Sequence, residues 1–599
     1  MYQRLPSPDQ PSRLSGTLGF VHPLVRAAVY EGLSETERLA GHARAAELLH
    51  KADAGIDQIV AHLLVVPPAG DGFVVATLRR AADEALARGS PDSAVTYLER
   101  CLQEPPSEAE RANVLLELGT AAQLVNMTKA ANYLAAAMAA SHDPERNAII
   151  AAMLGIALHM AGRSDEAARI WLQTTQTLGE EHADLHRQLD AGITSMAQVV
   201  VDPILHQLIA ERLVELRDAA VDIGLGSKTL DLAIALYDTF AGQPSDAVVA
   251  RARRGLADGS LIELAHPFSA YGCFSLIAAD REEVIPLLEA WVAAAHRRGS
   301  LLAYAPAKTY RGLAWLYRGF LTEAEANLRD AMWVVPMAGH NIGQPIVAAH
   351  LADTLMEQGR LDEAAAVLDW AGISQPLPCV GYWYWFLESR ARLLMLQGRI
   401  KEGLETMLAC GQRFTAHGGQ NPAVIAWRSG AALAFLALSH HKDAHTLAAE
   451  ELTLARQWGA PRALGRALRV AGLVEEGEEG LILLREAVNV LAPSPARLEH
   501  AKALIELGAA LRRSGQRLES RQYLRHGVEL AQVCGATPLV ERGWTELRAS
   551  GARPRRIAPL GPDALTPSER RVAELAAAGH SNRDIAKGYS SPLILSRSI

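Results

Sequence analysis

Apolar residues recur along the middle of the chain at the three- and four-residue spacing of an α-helix, as Leu351, Leu355 and Met356 illustrate. Short polar phrases separate these stretches, and each contains a glycine followed by an acidic residue. The clearest copies are AGRSDEAAR from Ala161, RGFLTEAEA from Arg318, QGRLDEAAA from Gln358, QGRIKEGLE from Gln397 and SGQRLESRQ from Ser514. Because glycine suits the left-handed residue that closes a helix, and an acidic residue suits the start of the next, each phrase predicts a helical hairpin.

The best-spaced turn glycines are Gly319, Gly359 and Gly398, which recur at roughly forty residues, the period of a helical solenoid. Small residues follow where the two helices of each hairpin should cross: Ala324, Ala364 and Gly403. A single hairpin cannot bury both of its apolar faces, so neighbouring hairpins must stack. The pattern resembles the tetratricopeptide (TPR) class of repeat. We therefore expect an all-α fold with a TPR-like solenoid over residues 81–550.

Composition agrees with helices and limits the partners. Hydrophobic residues make up 49% of the 599-residue chain, but aromatic residues only 5%, a mixture that suits packed helices better than sheets. The formal net charge is -8, which excludes a chain that contacts nucleic acid over its whole surface. Any DNA contact must therefore be local.

The cysteines and the N-terminus indicate a cytoplasmic protein. The five cysteines lie far apart without a Cys-x-x-Cys pair, which favours buried thiols over disulfides or a zinc site: Cys101, Cys273, Cys379, Cys410 and Cys534. No apolar run is long enough and free enough of charge to span a bilayer. Residues 1–19 are polar and proline-rich, so we expect them to be disordered, and they lack the apolar core of a signal peptide.

We find no residue set that indicates an enzyme. The stretch GLGSKT, Gly224 to Thr229, lacks the spacing of a phosphate-binding loop, because Ser227 separates Gly226 from Lys228. Its simplest interpretation is the end of one helix and the start of another. No spacing joins Ser, His, Asp or Cys side chains into a catalytic or metal-binding group. We expect no cofactor within this chain.

The most unusual composition in the solenoid is the aromatic stretch GYWYWF, Gly381 to Phe386. Tyr382, Trp383 and Trp385 are candidates for a groove that binds a ligand or a protein partner. The alternative interpretation is bulky packing at the start of the helix that continues to Met395.

Near the N-terminus, FVHPLVRAAVYEGLSETERLAGHARAAELL, Phe20 to Leu49, reads as a small helical unit. Ser34 and Glu37 have the spacing of a capping box at a helix start. The stretch resembles the junction that follows the P-loop ATPase in the large ATP-binding (LAL) regulators of the LuxR family. The resemblance implies a small helical domain over residues 20–80. It also implies an ATPase ahead of Met1, so that ATP is a cofactor only of that missing domain.

The C-terminal stretch LTPSERRVAELAAAGHSNRDIA predicts two short helices joined by a tight turn. Thr566 is a suitable N-cap, Glu569 completes a capping box, and Gly579 ends the first helix. Ser581 then caps the second helix, with Asp584 at the return position. The stretch resembles the opening of a LuxR-type helix-turn-helix, which implies DNA binding. We assign residues 551–564 to a linker and 565–599 to this unit.

The resemblance implies DNA contact through the start of the second helix, at Ser581, Asn582 and Arg583, since helix N-termini commonly touch phosphates. The alternative roles are capping and solvated charge. After about residue 587 the tail, GYSSPLILSRSI, no longer resembles a recognition helix. One hypothesis is a frameshift close to Lys587 or Gly588, and the other is a diverged tail. The coding nucleotides distinguish the two.

The sequence thus favours a DNA-binding transcription regulator of the LuxR type, present as a fragment with impaired sequence-specific DNA binding. Its solenoid would sense a small-molecule or protein effector. The competing interpretation is a TPR-like interaction scaffold without DNA-binding activity. Neither requires a membrane, and the oligomeric state stays open.

Overall fold

The protein was analysed as a computed structural model, which describes residues 2–4, 18–20, 23–104, 107–200, 202–217, 224–339, 342–372, 383–552, 572–573, 575–577, 579 and 581. Apart from two three-residue strands, the described elements are all helices, which confirms the expected all-α class. The chain divides into two compact units, Met1–Ala121 and Ala122–Ile599.

The first unit contains an antiparallel pair of strands, β1 (Tyr2–Arg4) and β2 (Leu18–Phe20), in which Tyr2 pairs with Phe20. Its helices are α1 (Pro23–Glu31), α2 (Glu35–Lys51), α3 (Ile56–Leu63), α4 (Gly72–Ala87), α5 (Pro91–Gln103) and α6 (Glu108–Ala122). The last of them, α6, ends one residue beyond the boundary of the unit. The domain boundary predicted at residue 80 falls inside α4, which packs against both α3 and α5.

The capping box predicted at Ser34 is confirmed. The Ser34 hydroxyl accepts a hydrogen bond from the Glu37 N–H at 3.3 Å, and the Glu37 carboxylate accepts one from the Ser34 N–H at 2.9 Å. These two bonds satisfy backbone donors at the start of α2, which have no partner within the helix itself.

The second unit begins with helices that pack as successive layers. They are α7 (Met127–Ala139), α8 (Pro144–Met160), α9 (Ser164–Thr177), α10 (Ala183–Ser195) with a 3₁₀ turn (Met196–Gln198), α11 (Pro203–Arg217), α12 (Leu225–Ala241), α13 (Ser245–Leu256), α14 (Ser260–Glu263), α15 (Ser269–Ala278) and α16 (Val284–Arg297).

Six regular hairpins and a closing helix follow in the same unit. The hairpins are α17 (Leu301–Tyr317) with α18 (Leu321–Val334), α19 (Gly343–Gln358) with α20 (Leu361–Trp370), α21 (Trp383–Leu396) with α22 (Ile400–Ala416), α23 (Trp427–Ala437) with α24 (His441–Trp458), α25 (Pro461–Glu475) with α26 (Gly477–Leu491), and α27 (Arg497–Arg513) with α28 (Arg517–Cys534), before α29 (Thr537–Ala549). Each hairpin packs on the next, so the predicted TPR-like helical-repeat fold is confirmed.

The turn glycines have the predicted conformation. Gly319, Gly359 and Gly398 have φ of 78°, 86° and 82°, in the left-handed region that favours glycine, and Gly162 and Gly515 do as well. At the crossing of α21 and α22, a Cβ on Gly403 would lie 2.6 Å from the Met395 Cγ. The small residue at that position therefore lets the two helices approach closely.

The C-terminal prediction lies mostly outside the described residues. Val572, Ala573 and residues 575–577 are helical, and Gly579 follows with φ of 85° and its N–H bonded to the Ala576 carbonyl at 3.0 Å. Ser581 is exposed, whereas Asn582 and Arg583 lie outside the described residues, as does the predicted second helix.

Two further expectations concern the described part of the chain. No helix there is both long and apolar enough to cross a membrane. Four of the five cysteines are described, and all four are buried free thiols; Cys379 lies outside the described residues. Burial raises the pKa of the Cys101 thiol to about 11 and that of Cys273 to about 12, so these thiols are protonated at neutral pH.

Candidate ligand-binding cavity

The first helices of the six hairpins, together with α22, line a cavity of about 380 Å³ in the second unit. Its size falls within the range typical of small-molecule sites. The lining residues extend from Leu316, near the end of α17, to Lys502 in α27. Stacking of successive hairpins therefore brings together residues that are far apart in sequence.

Helical periodicity decides which side chains reach the cavity. On α25 the lining residues include Arg462, Arg466 and Arg469, which are four and three positions apart and so share one helix face. On α21 Glu388 and Arg392 share a face in the same way. The cavity wall is thus unusually rich in charge for a position between packed helices.

Most of the charged groups form a continuous network of ion pairs. Arg392 bonds Asp353 at 2.7 Å and Glu357 at 2.8 Å. Lys502 bonds Glu357 at 2.7 Å and Glu499 at 3.1 Å. Arg469 reaches Glu499 at 3.4 Å. Burial acts to raise the pKa of Glu499, but the nearby cations outweigh it and hold that pKa well below its usual range.

A further ion pair connects α25 to the turn that follows α15. Arg462 contacts Asp280 at 3.2 Å through its Nε, and its backbone N–H donates to the same carboxylate at 2.7 Å. The guanidinium also donates to the Ala423 carbonyl at 3.0 Å and lies 3.6 Å from the centre of the Tyr317 ring. The side chains of Arg462 and Asp280 are only 3% and 5% exposed.

Arg466 and Glu388 stand apart from these pairs. Within the described residues, neither forms an ion pair, although both line the cavity and are only partly buried. Arg466 donates to the Pro422 carbonyl, and Glu388 accepts from the Ala426 N–H at 2.9 Å. Burial raises the pKa of Glu388 to about 7, against the lowering effect of Arg466. Glu388 is therefore a wall carboxylate that changes its charge near neutral pH.

The wall also has an apolar end, where Met395, Ile400, Met407 and Ala434 pack in one cluster and Leu433 and Val470 in another. On α21 the polar Arg392 is followed one turn later by Met395 and Leu396. On α25 Arg466 is followed one turn later by Val470. Further apolar residues from neighbouring elements complete this end: Ile400, Met407, Leu433, Ala434 and Ala437. Leu396 is 54% exposed, so the apolar end is open to solvent.

The structure places the three aromatic candidates differently. Trp385 lines the cavity, is 6% exposed, and donates its indole N–H to the Val424 carbonyl at 3.2 Å. Trp383 packs edge-on against Phe386, with ring centres 5.3 Å apart, in a neighbouring apolar cluster. Tyr382 lies outside the described residues.

The GLGSKT stretch does not form a phosphate-binding loop. The GLGSKT stretch is the start of α12, where the Lys228 ammonium bonds Asp258 and the Ser260 hydroxyl. This lysine is therefore bound by side chains from the turn after α13 and from the start of α14. Among the described residues, no group of three or more His, Cys, Asp or Glu side chains could hold a metal ion.

The charged residues of the cavity were not predicted from the sequence. On any single helix, Arg462, Arg466 and Arg469 look like a solvated polar face. One sequence feature could have indicated them, because α25 and α21 carry charged residues on the face that also bears their buried apolar residues. Which helices share a cavity, however, depends on stacking between distant repeats, which no local pattern specifies.

Comparisons with known proteins give only distant structural likenesses. No family model and no curated protein matches the chain. Similar solved structures include the Cut9–Hcn1 hetero-tetramer of the APC/C, at 13% identity over 87% of this chain and 99% of that chain, with a TM-score of 0.42. Yeast Tom70 is 12% identical over 80% of this chain and 97% of its own chain, with a TM-score of 0.30. A Rap protein complexed with competence and sporulation factor shows 11% identity over 67% and 100%, with a TM-score of 0.37. The stacked hairpins themselves establish the TPR-like fold, and these distant likenesses carry no argument about function.

Proposed function

We propose that this chain is a non-enzymatic, helical-repeat binding module that holds an effector in the cavity of its second unit. The observation that carries the proposal is the cavity of about 380 Å³ with a charged wall and an open apolar end. A purely structural core would exclude charge, because buried ionic groups stabilise a fold less than apolar packing does. Keeping nine charged side chains around an open space therefore favours recognition of a ligand.

Blocking the cavity mouth tests this proposal. The full chain is heated with amphiphiles that bear acidic, neutral or basic head groups, and with short apolar peptides. We expect at least one class to raise the melting temperature by a few degrees, as ligand binding to the folded state requires. The Ala437→Trp variant, altered at an exposed position of the rim, should lose this shift. If no class shifts the wild-type chain, the proposal is wrong.

A second candidate function is transcription regulation of the LuxR type, in which effector binding to the solenoid is coupled to DNA binding by residues 565–587. The specific support is the left-handed Gly579, which follows helical residues where the sequence predicts the end of the first helix. Because the tail after about residue 587 does not resemble a recognition helix, we expect this chain to bind DNA without strong sequence preference.

We expect weak DNA binding that falls steeply with salt, since contacts would be limited to phosphates. Fluorescence anisotropy with two unrelated duplexes, titrated from low to physiological salt, measures it. Arg583→Ala should weaken binding equally for both duplexes, and Arg513→Ala, in the solenoid, serves as the control. Tight binding that discriminates between the duplexes would contradict the prediction of impaired sequence-specific DNA binding. No binding even at low salt would contradict the regulator function and leave the effector-binding module as the proposed function.

A further inference from the structure

The choice of ligand follows from the charges that remain once the ion pairs of the wall are assigned. Arg392, Lys502 and Arg469 are balanced by Asp353, Glu357 and Glu499, and Arg462 is balanced by Asp280. What remains is Arg466 together with Glu388. A cation held in a cavity wall without a direct counterion is costly, and an anion that reaches it gains more than it would in water.

We infer that the cavity binds a monocarboxylate with an apolar body, whose carboxylate pairs with Arg466 while its apolar part lies against Met395, Leu396, Ile400 and Leu433. This inference rests on the proposed binding function and specifies the ligand class. An arginine is suited to the carboxylate because its planar guanidinium offers parallel donors. Val470, one turn beyond Arg466 on α25, begins the apolar wall on which the ligand's body would continue.

Glu388 gives this site a proton-linked character. When the ligand carboxylate takes its place beside Arg466, two carboxylates share one cation, and the protonated form of Glu388 is favoured. Protonated Glu388 can also donate a hydrogen bond to the ligand. The charged and titratable groups that act on Glu388 lie on α21 itself and on α17, α19, α22 and α25, and they are Arg466, Arg392, Asp353, Tyr317 and Cys410.

Glu388 titrates near neutrality, and burial also raises the pKa of its neighbour Asp353. The pKa of Glu388 itself is raised to about 7 by burial, whereas the pKa values of Tyr317 and Cys410 are raised by burial, away from neutrality. His350, also in the wall, has its pKa lowered to about 3 by burial and stays neutral. Binding should therefore take up one proton above pH 7 and none well below it.

The test is calorimetric titration of the full chain with decanoate, decanol and decylamine. We expect decanoate to bind most tightly, with an affinity that falls by up to about tenfold for each pH unit above 7. In Glu388→Gln this pH dependence should vanish, because the amide cannot ionise. Arg466→Met should bind decanoate about 10- to 100-fold more weakly, and Arg456→Met, an exposed arginine outside the cavity, should bind as the wild type does.

The outcomes separate the two proposals. Equal binding of decanol or decylamine, lost in Ala437→Trp, would overturn the carboxylate inference and leave the binding module standing. Binding of decanoate that Ala437→Trp does not affect would place the ligand elsewhere and overturn the inference. If Arg466→Met does not fold, the comparison of the three head groups and the pH profile of Glu388→Gln still decide the matter.

Discussion

Replacing Arg462 with methionine should lower the free energy of unfolding of the second unit by about 3–5 kcal/mol, because it leaves a buried carboxylate without its counterion. Asp280 is 5% exposed at the side chain, and its other close partner is the Arg462 backbone N–H. Methionine keeps most of the volume of the arginine stem, so the loss reports the charge more than the packing.

The geometry around Asp280 explains why the effect should be large. Asp280 has φ of 59°, a left-handed conformation that strains a non-glycine residue. The residue sits in the turn after α15, 182 positions from Arg462 along the chain. The ion pair therefore joins repeats that are distant in sequence, and it orders a turn whose backbone is unfavourable on its own.

Urea denaturation followed by tryptophan fluorescence measures this loss, and Arg456→Met is the matched control. Arg456 pairs with Glu486 at 3.4 Å on the surface, where both side chains are about half exposed, so its loss should cost no more than about 1 kcal/mol. The double variant Asp280→Asn with Arg462→Met should recover part of the stability, because no unpaired charge remains. Equal effects of the two arginine variants would contradict the assigned role of Arg462.

The repeat fold could be predicted from sequence because its signals are local. Gly319, Gly359 and Gly398 mark hairpin turns through a backbone conformation that glycine's own chemistry favours, and all three have that conformation in the structure. The Ser34 capping box is predictable for the same reason, since its partners are three residues apart.

The cavity could not be predicted in this way, because its residues meet only through stacking of distant repeats. Arg462 and Asp280 illustrate the limit: nothing in either local sequence distinguishes them from surface charges. Trp385 was singled out by composition and does line the cavity, but Trp383, two residues earlier, packs in another cluster. The aromatic composition thus identified a helix that lines the cavity, but it did not show which face of that helix points toward the cavity.

Replacing Glu388 with glutamine should stabilise the chain increasingly as the pH rises from about 4.5 to 7, by up to about 3 kcal/mol at pH 8. The pKa of Glu388 is raised from an ordinary 4.5 to about 7 by burial in the folded state. The folded chain therefore holds this proton more tightly than the unfolded chain. The resulting stability is complete below pH 4.5 and is lost as the pH rises through 7. Glutamine keeps the acceptor for the Ala426 N–H and removes the ionisation.

Glu357→Gln is the control, because this substitution should change the free energy of unfolding in the opposite direction. Burial acts to raise the pKa of Glu357, but Lys502 and Arg392 outweigh it and lower that pKa, so the carboxylate stabilises the fold above its unfolded pKa. Its loss should therefore destabilise the chain at pH 7 and matter less as the pH falls. Unfolding free energies of both variants and the wild type, measured by urea denaturation from pH 5 to 8, make the comparison. If the difference between Glu388→Gln and the wild type does not change with pH, the carboxylate does not titrate near neutrality, and proton-linked ligand binding loses its physical basis.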